Sequence, residues 1–123
     1  NFLAEKYKLN SINFSDFKYK NLIKKAEKAS VIILICMQRD PSKSIPEWEE
    51  IAAVSMSVQN MWLMSTSLNI GCYWSSPKLI EFINEFTPLN EGERCLGIFY
   101  MGNYDVEINS RTPGPIEEKV KWL

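Results

Sequence analysis

The stretch from Ile51 to Pro77, IAAVSMSVQNMWLMSTSLNIGCYWSSP, carries no charged residue, and its reading decides the fold. So long an uncharged run raises the possibility of a membrane span. Ser55, Ser57, Gln59, Asn60, Ser65, Thr66, Ser67 and Asn69 make it too polar for a lipid-facing helix. It reads instead as a buried helix running to about Ile70. Ile51, Val54, Val58, Met61 and Leu68 form one stripe, and Trp48, Ala52, Met56 and Leu63 widen it past a single face. Ala52, Ala53, Ser55 and Ser57 leave room for a second helix to approach. The helix therefore suits either a central core position or packing against a second subunit, and the two are compatible.

The connection after this helix is short. Gly71 stands where a C-cap glycine belongs. Ser76 and Pro77 read as N-cap and first residue of a further helix to about Phe86, with Leu79, Ile80, Phe82 and Ile83 apolar. Between them Cys72-Tyr73-Trp74-Ser75 is expected to be a tight link. A helix start preceded by two serines offers free N–H groups, although most such starts are only caps.

On the N-terminal side, Pro46 fits the first turn of the central helix, and Glu47, Glu49 and Glu50 suit its positive end. Gln38 to Ser44 is a polar loop. Val31 to Met37, VIILICM, is a continuous apolar run rich in β-branched residues, expected to be a strand buried on both faces. Before it, Phe2 to Leu9 reads as the end of a helix. A second helix capped near Ser15 runs to about Ala29, with Phe17, Leu22, Ile23 and Ala26 on one side. On the C-terminal side, Pro88 to Glu93 is a turn and Cys95 to Met101, CLGIFYM, is a second buried strand. Arg111, Pro113, Gly114 and Pro115 imply an extended tail that ends in a short helix with Trp122. Such a tail buries little of itself and is expected to lie across another surface.

At 123 residues the chain has the size of one domain. Net charge is −1 with both signs mixed along the chain, which argues against a nucleic-acid surface. The Lys-rich segment from Lys18 to Lys28 alternates with apolar residues and reads as a solvated helix face. Histidine is absent, which excludes a Ser-His-Asp triad, a Cys-His pair and a His-ligated zinc within this sequence. Cys36, Cys72 and Cys95 are widely spaced and form no CxxC, a pattern that fits a reducing, cytoplasmic setting. Two of the three lie in strand-like runs, where a buried inert thiol is the default. Asp16, Asp40 and Asp105 read as cap or loop acids, and no phosphate-binding glycine loop is present.

The order IPEWEEIAAVSMSVQNMWLMSTSLNIGCYWSSP, NEGERCLGIFYMGNYD, RTPGPIEEKVKWL resembles the nitroreductase family of flavin enzymes, most nearly its small YdjA-type subgroup. Ala52 to Gly71 is similar to the family's central helix, Tyr73 to Pro77 to its Trp-Ser segment, and Gly97 to Gly102 to one of its strands. The resemblance implies an α+β, three-layer fold: a central, mostly antiparallel sheet flanked by helices, with an extended C-terminal tail, in a homodimer. It implies FMN at the dimer interface and electron transfer from NAD(P)H to nitroaromatic, quinone or similar acceptors. Cofactor contacts are then expected at Tyr73, Trp74, Ser75, Ser76 and Arg111, with Trp74 as a wall, the serines as hydrogen-bond partners and Arg111 on the phosphate. No side chain is expected to act in catalysis, because hydride chemistry belongs to the cofactor. The family's N-terminal flavin-binding motifs have no counterpart in Asn1 to Ala29. Residues 1–123 are thus expected to be the C-terminal portion of one nitroreductase-like domain. The rival expectation is a flavin-free, non-catalytic module that dimerises or binds a partner.

Overall fold

The two apolar runs at Val31 and Cys95 find each other in the folded chain, and everything else packs around that pair. The computed structural model describes residues 1–105 and 112–122. Its elements are helices α1 (Phe2–Asn10) and α2 (Asp16–Lys28), strand β1 (Val31–Gln38), helix α3 (Glu47–Ser67) and strand β2 (Gly71–Ser75). A 3₁₀ turn (Lys78–Phe82), the short helix α4 (Ile83–Phe86), strand β3 (Glu93–Gly102) and a last 3₁₀ turn (Ile116–Glu118) complete the order. The strands form one antiparallel sheet in the order β1-β3-β2. This is the α+β architecture that the sequence implies. No described helix is long and apolar enough to cross a membrane.

Strand alternation divides the side chains between two layers. Ile33 and Ile35 of β1, Phe99 and Met101 of β3, and Cys72 and Trp74 of β2 turn to α3, where they meet Val54, Val58 and Met61. Phe99 is fully buried and Val58 nearly so. The Trp62 ring meets Phe99 edge-on, 5.6 Å between centroids. Helix α2 packs on the opposite face, against β3. α1 lies on α2 and on the 3₁₀ turn at Lys78–Phe82, and its Lys6 pairs with Glu85 of α4. The Ser15 hydroxyl caps α2 by accepting the Lys18 N–H at 3.4 Å, as its position predicts.

Several expectations need correction. The core stripe of α3 runs through Ile51, Val54, Val58 and Met61 to Ser65, not Leu68. Leu68 falls past the last helical residue and is exposed. Pro46 is the N-cap, one position ahead of the first turn. β1 is not buried on both faces: Val31 is 49% and Ile32 46% exposed. The physical reason is the strand order, which leaves β1 at an edge while α2 covers β3. Cys72 to Ser75 is a strand, not a link, and the helix expected from Ser76 to Phe86 is a 3₁₀ turn followed by one turn of α4. In the tail, the segment at Ile116 makes one 3₁₀ turn and Trp122 is 81% exposed.

Candidate functional site

Strand β2 is made by what precedes it. α3 ends when Asn69 turns into the left-handed region at φ +56°, a conformation asparagine tolerates better than most residues. Leu68 N–H donates to Met64 O and Ile70 N–H to Ser65 O at 2.8 Å, which satisfies the last turn's carbonyls. Asn69, not Gly71, thus makes the reversal. Gly71 is required for a different reason. A Cβ there would lie 2.8 Å from Tyr104 Cδ1 and 3.2 Å from Gly102 O, so the first residue of β2 must be bare to approach the end of β3.

From Gly71 the chain pairs with β3 in register, Cys72 with Met101, Tyr73 with Tyr100, Trp74 with Phe99 and Ser75 with Ile98. The alternation of the strand sends Tyr73 and Trp74 to opposite faces. Trp74 turns to α3 and packs over Gly97, whose Cβ, if present, would stand 2.3 Å from Trp74 Nε1 and 2.6 Å from Ser75 O. The Trp74 Nε1–H is buried and has no hydrogen-bond partner among the described residues. Tyr73 turns to α2, where Lys25 Nζ sits 4.9 Å from its ring centroid.

Two hollows lie beside β2, and Trp62 lines both. One, of about 480 Å³, is lined by Ile51, Trp62, Trp74, Ser76 and Leu96. The other, of about 500 Å³, takes in Lys25, Lys28, Trp62, Tyr73, Tyr100 and Tyr104 among its walls. Burial, followed by the nearby Tyr73 oxygen, raises the Tyr100 hydroxyl's pKa above its usual 10.0, so Tyr100 stays a neutral donor at neutral pH.

The structure therefore brings Trp74 and Ser76 into one cleft and places Tyr73 across the sheet from them. Ser75 ends β2 with its carbonyl against Gly97. Arg111 lies outside the described residues. The helix start expected at Ser76-Pro77 supplies no cap: Pro77 is the N-cap of a five-residue 3₁₀ turn and has no side-chain bond. What β2 offers is its outer edge, since an edge strand turns half of its backbone N–H and C=O groups away from its neighbour, here β3 among the described residues. Sequence reasoning missed Ile51, Trp62 and Leu96 as cleft walls, and Lys25, Tyr100 and Tyr104 in the second hollow. Their residue types signal core or surface, and only the α3, β3 and α2 packing gathers them.

The cleft at Trp74 fits the ring portion of a flavin. It has indole and aliphatic walls and a hydroxyl at Ser76. Among the described residues that line it there is no cation for a phosphate. Among the described residues there is no cluster of three or more potential metal ligands.

The sequence model of the Nitroreductase family matches residues 3–103. Among solved structures, the fold is similar to a nitroreductase-like family protein from Bacillus cereus, with a TM-score of 0.71 and 27% sequence identity. The match covers 98% of this chain and 66% of that protein, so this chain spans less than two thirds of its relative's length. A comparison with curated proteins found no match.

Proposed function

The chain belongs to the nitroreductase family, and from that premise we propose that it serves an FMN-dependent oxidoreductase moving electrons from NAD(P)H to nitroaromatic, quinone or similar acceptors. The observation that carries this reading is the family match across Leu3 to Asn103, which includes the whole of the Trp74–Ser76 cleft. When bound, FMN supplies the hydride and electron-transfer chemistry. The chain's own task is to hold and orient. Trp74 and Trp62 supply aromatic walls, Ile51 and Leu96 exclude water, and Ser76 offers a hydroxyl to a polar ring edge. The outer backbone edge of β2 can donate and accept without titrating, which suits a ring whose nitrogens change between acceptor and donor.

The remaining parts of the reading rest on less of the molecule. Arg111 is the proposed phosphate partner, and Tyr73 is proposed to act from the far face of β2 and not as a ring wall. We place the flavin at the interface of a homodimer, in keeping with the apolar residues α3 exposes. Three free thiols favour the cytoplasm as its setting.

The rival is a flavin-free module that dimerises or binds a partner, which the exposed apolar residues of α3 also suit. The test is an absorption spectrum of the purified protein before and after addition of FMN and gel filtration. Flavin bands that travel with the protein, and weaken in Trp74→Ala, are expected. Protein emerging colourless at a folded dimer's mass gives the rival reading.

A further inference from the structure

Two cysteines that take no part in the cleft face one another across the sheet. β1 and β3 pair Cys36 directly with Cys95, immediately beyond a register shift that follows Ile35 and Gly97. Residues directly opposed in antiparallel strands have Cα atoms about 4.5–5.5 Å apart and side chains on one face. That separation lies within the span of about 4.4–6.8 Å that a disulfide accepts. Cys95 is buried, and its thiol donates to Gly97 O at 3.4 Å. Cys36 is half-buried and so is the more accessible of the two. Burial, then the charge of Cys95 and a hydrogen bond with it, push the Cys36 thiol up to about 11. Cys72 belongs to neither partner. It sits on β2, on the other side of β3 from β1, and turns to α3.

We propose that Cys36 and Cys95 are a redox-modification site, at which a small disulfide oxidant such as oxidised glutathione converts two thiols into one cross-strand disulfide. Cys36, as thiolate, attacks one sulfur of the oxidant, whose S–S bond breaks; the first small thiol leaves and takes up the proton Cys36 released. Cys95, losing its proton, then attacks the Cys36 sulfur of the mixed disulfide, and the second small thiol departs with that proton. Two protein thiols are oxidised and one small disulfide is reduced to two thiols. The raised Cys36 pKa keeps the thiolate scarce, which slows the first attack. The bridge would clamp β1 to β3 at the register shift beside Gly97, directly behind the glycine on which Trp74 packs.

The test exposes the purified protein to oxidised glutathione, then blocks and counts thiols in denaturant. Accessible thiols are expected to fall from three to one, with loss of the mass of two hydrogens and a digest in which the peptides of Cys36 and Cys95 are joined. Cys72→Ser is expected to leave the bridge unchanged, and Cys36→Ser to abolish it while the circular dichroism spectrum stays native. These readings need only the wild-type protein if a variant fails to fold. Recovery of all three thiols, a bridge through Cys72, or a stable glutathione adduct on Cys36 that Cys95 never resolves would each overturn the proposal.

Discussion

At the scale of single residues, two positions hold the sheet to α3. Phe99 is fully buried between Trp62 and the neighbouring strands, so Phe99→Ala removes a whole ring from a core with no slack. We expect a loss of about 3–5 kcal/mol, read from urea unfolding followed by circular dichroism. Gly97 acts through what it lacks. Any side chain there meets Trp74 Nε1 and, less yieldingly, the Ser75 carbonyl. Gly97→Ala should cost about 1–3 kcal/mol by overpacking and should shift the tryptophan emission as the Trp74 indole is displaced. An unchanged urea midpoint and an unchanged emission would show that the indole does not rest on this glycine. Gly97 was legible in the sequence only as part of a strand pattern; the need for a bare position arises from Trp74, more than twenty residues earlier in the chain.

At the scale of elements, the loop from β1 to α3 is organised by Asp40. Its carboxylate accepts the Ser42 and Ser44 N–H groups, each at 3.1 Å, and both hydroxyls at 2.6 Å. Those four bonds, the Ser42 hydroxyl first, hold its pKa well below the ordinary 3.8. Glu50 is also lowered, first by the Arg39 guanidinium it pairs with and then by the Asp40 N–H. Both folded pKa values are depressed. Their contribution to stability is therefore present above the ordinary carboxylate range and is lost as pH falls through and below it. Asp40→Asn should flatten the decline of the urea midpoint between about pH 6 and about pH 3. An acid limb as steep as the wild type's would remove Asp40 from that account. For α2 the expectation is simpler: Ser15→Ala should cost roughly 0.5–1 kcal/mol through the lost cap, in the same urea assay.

At the scale of the molecule, one sheet with a long helix on one face leaves apolar surface in view. Trp48, Met56, Leu63, Met64 and Leu68 are all more than half exposed on or beside α3. Met56 and Leu63 are seven residues apart and share one side of the helix. A helix that is uncharged from Ile51 onward and presents this surface to water favours association. Light scattering at micromolar concentration should return a dimer, and Leu63→Glu should return a folded monomer. A wild-type monomer, or a dimer that survives Leu63→Glu, would move the interface elsewhere.

Local pattern was sufficient for α2, α3, β1 and β3, because each carries its own periodicity: an apolar stripe, or an unbroken β-branched run bounded by turns. The same pattern sufficed for the absence of a histidine-based site and for the family resemblance. It did not suffice for β2. Five residues have too little length to declare a period, and Gly71 to Ser75 becomes a strand only because β3 offers its edge. That one difference decides the site. In a link, Tyr73 and Trp74 could both face one flat ligand; in a strand, successive side chains must part to opposite faces. The sequence by itself determined α2, α3, β1 and β3 and the lack of histidine chemistry, since those depend on neighbours along the chain. The tertiary structure alone decided which residues share the cleft, because a strand's pairing, its edge and its two faces are set by partners distant in sequence.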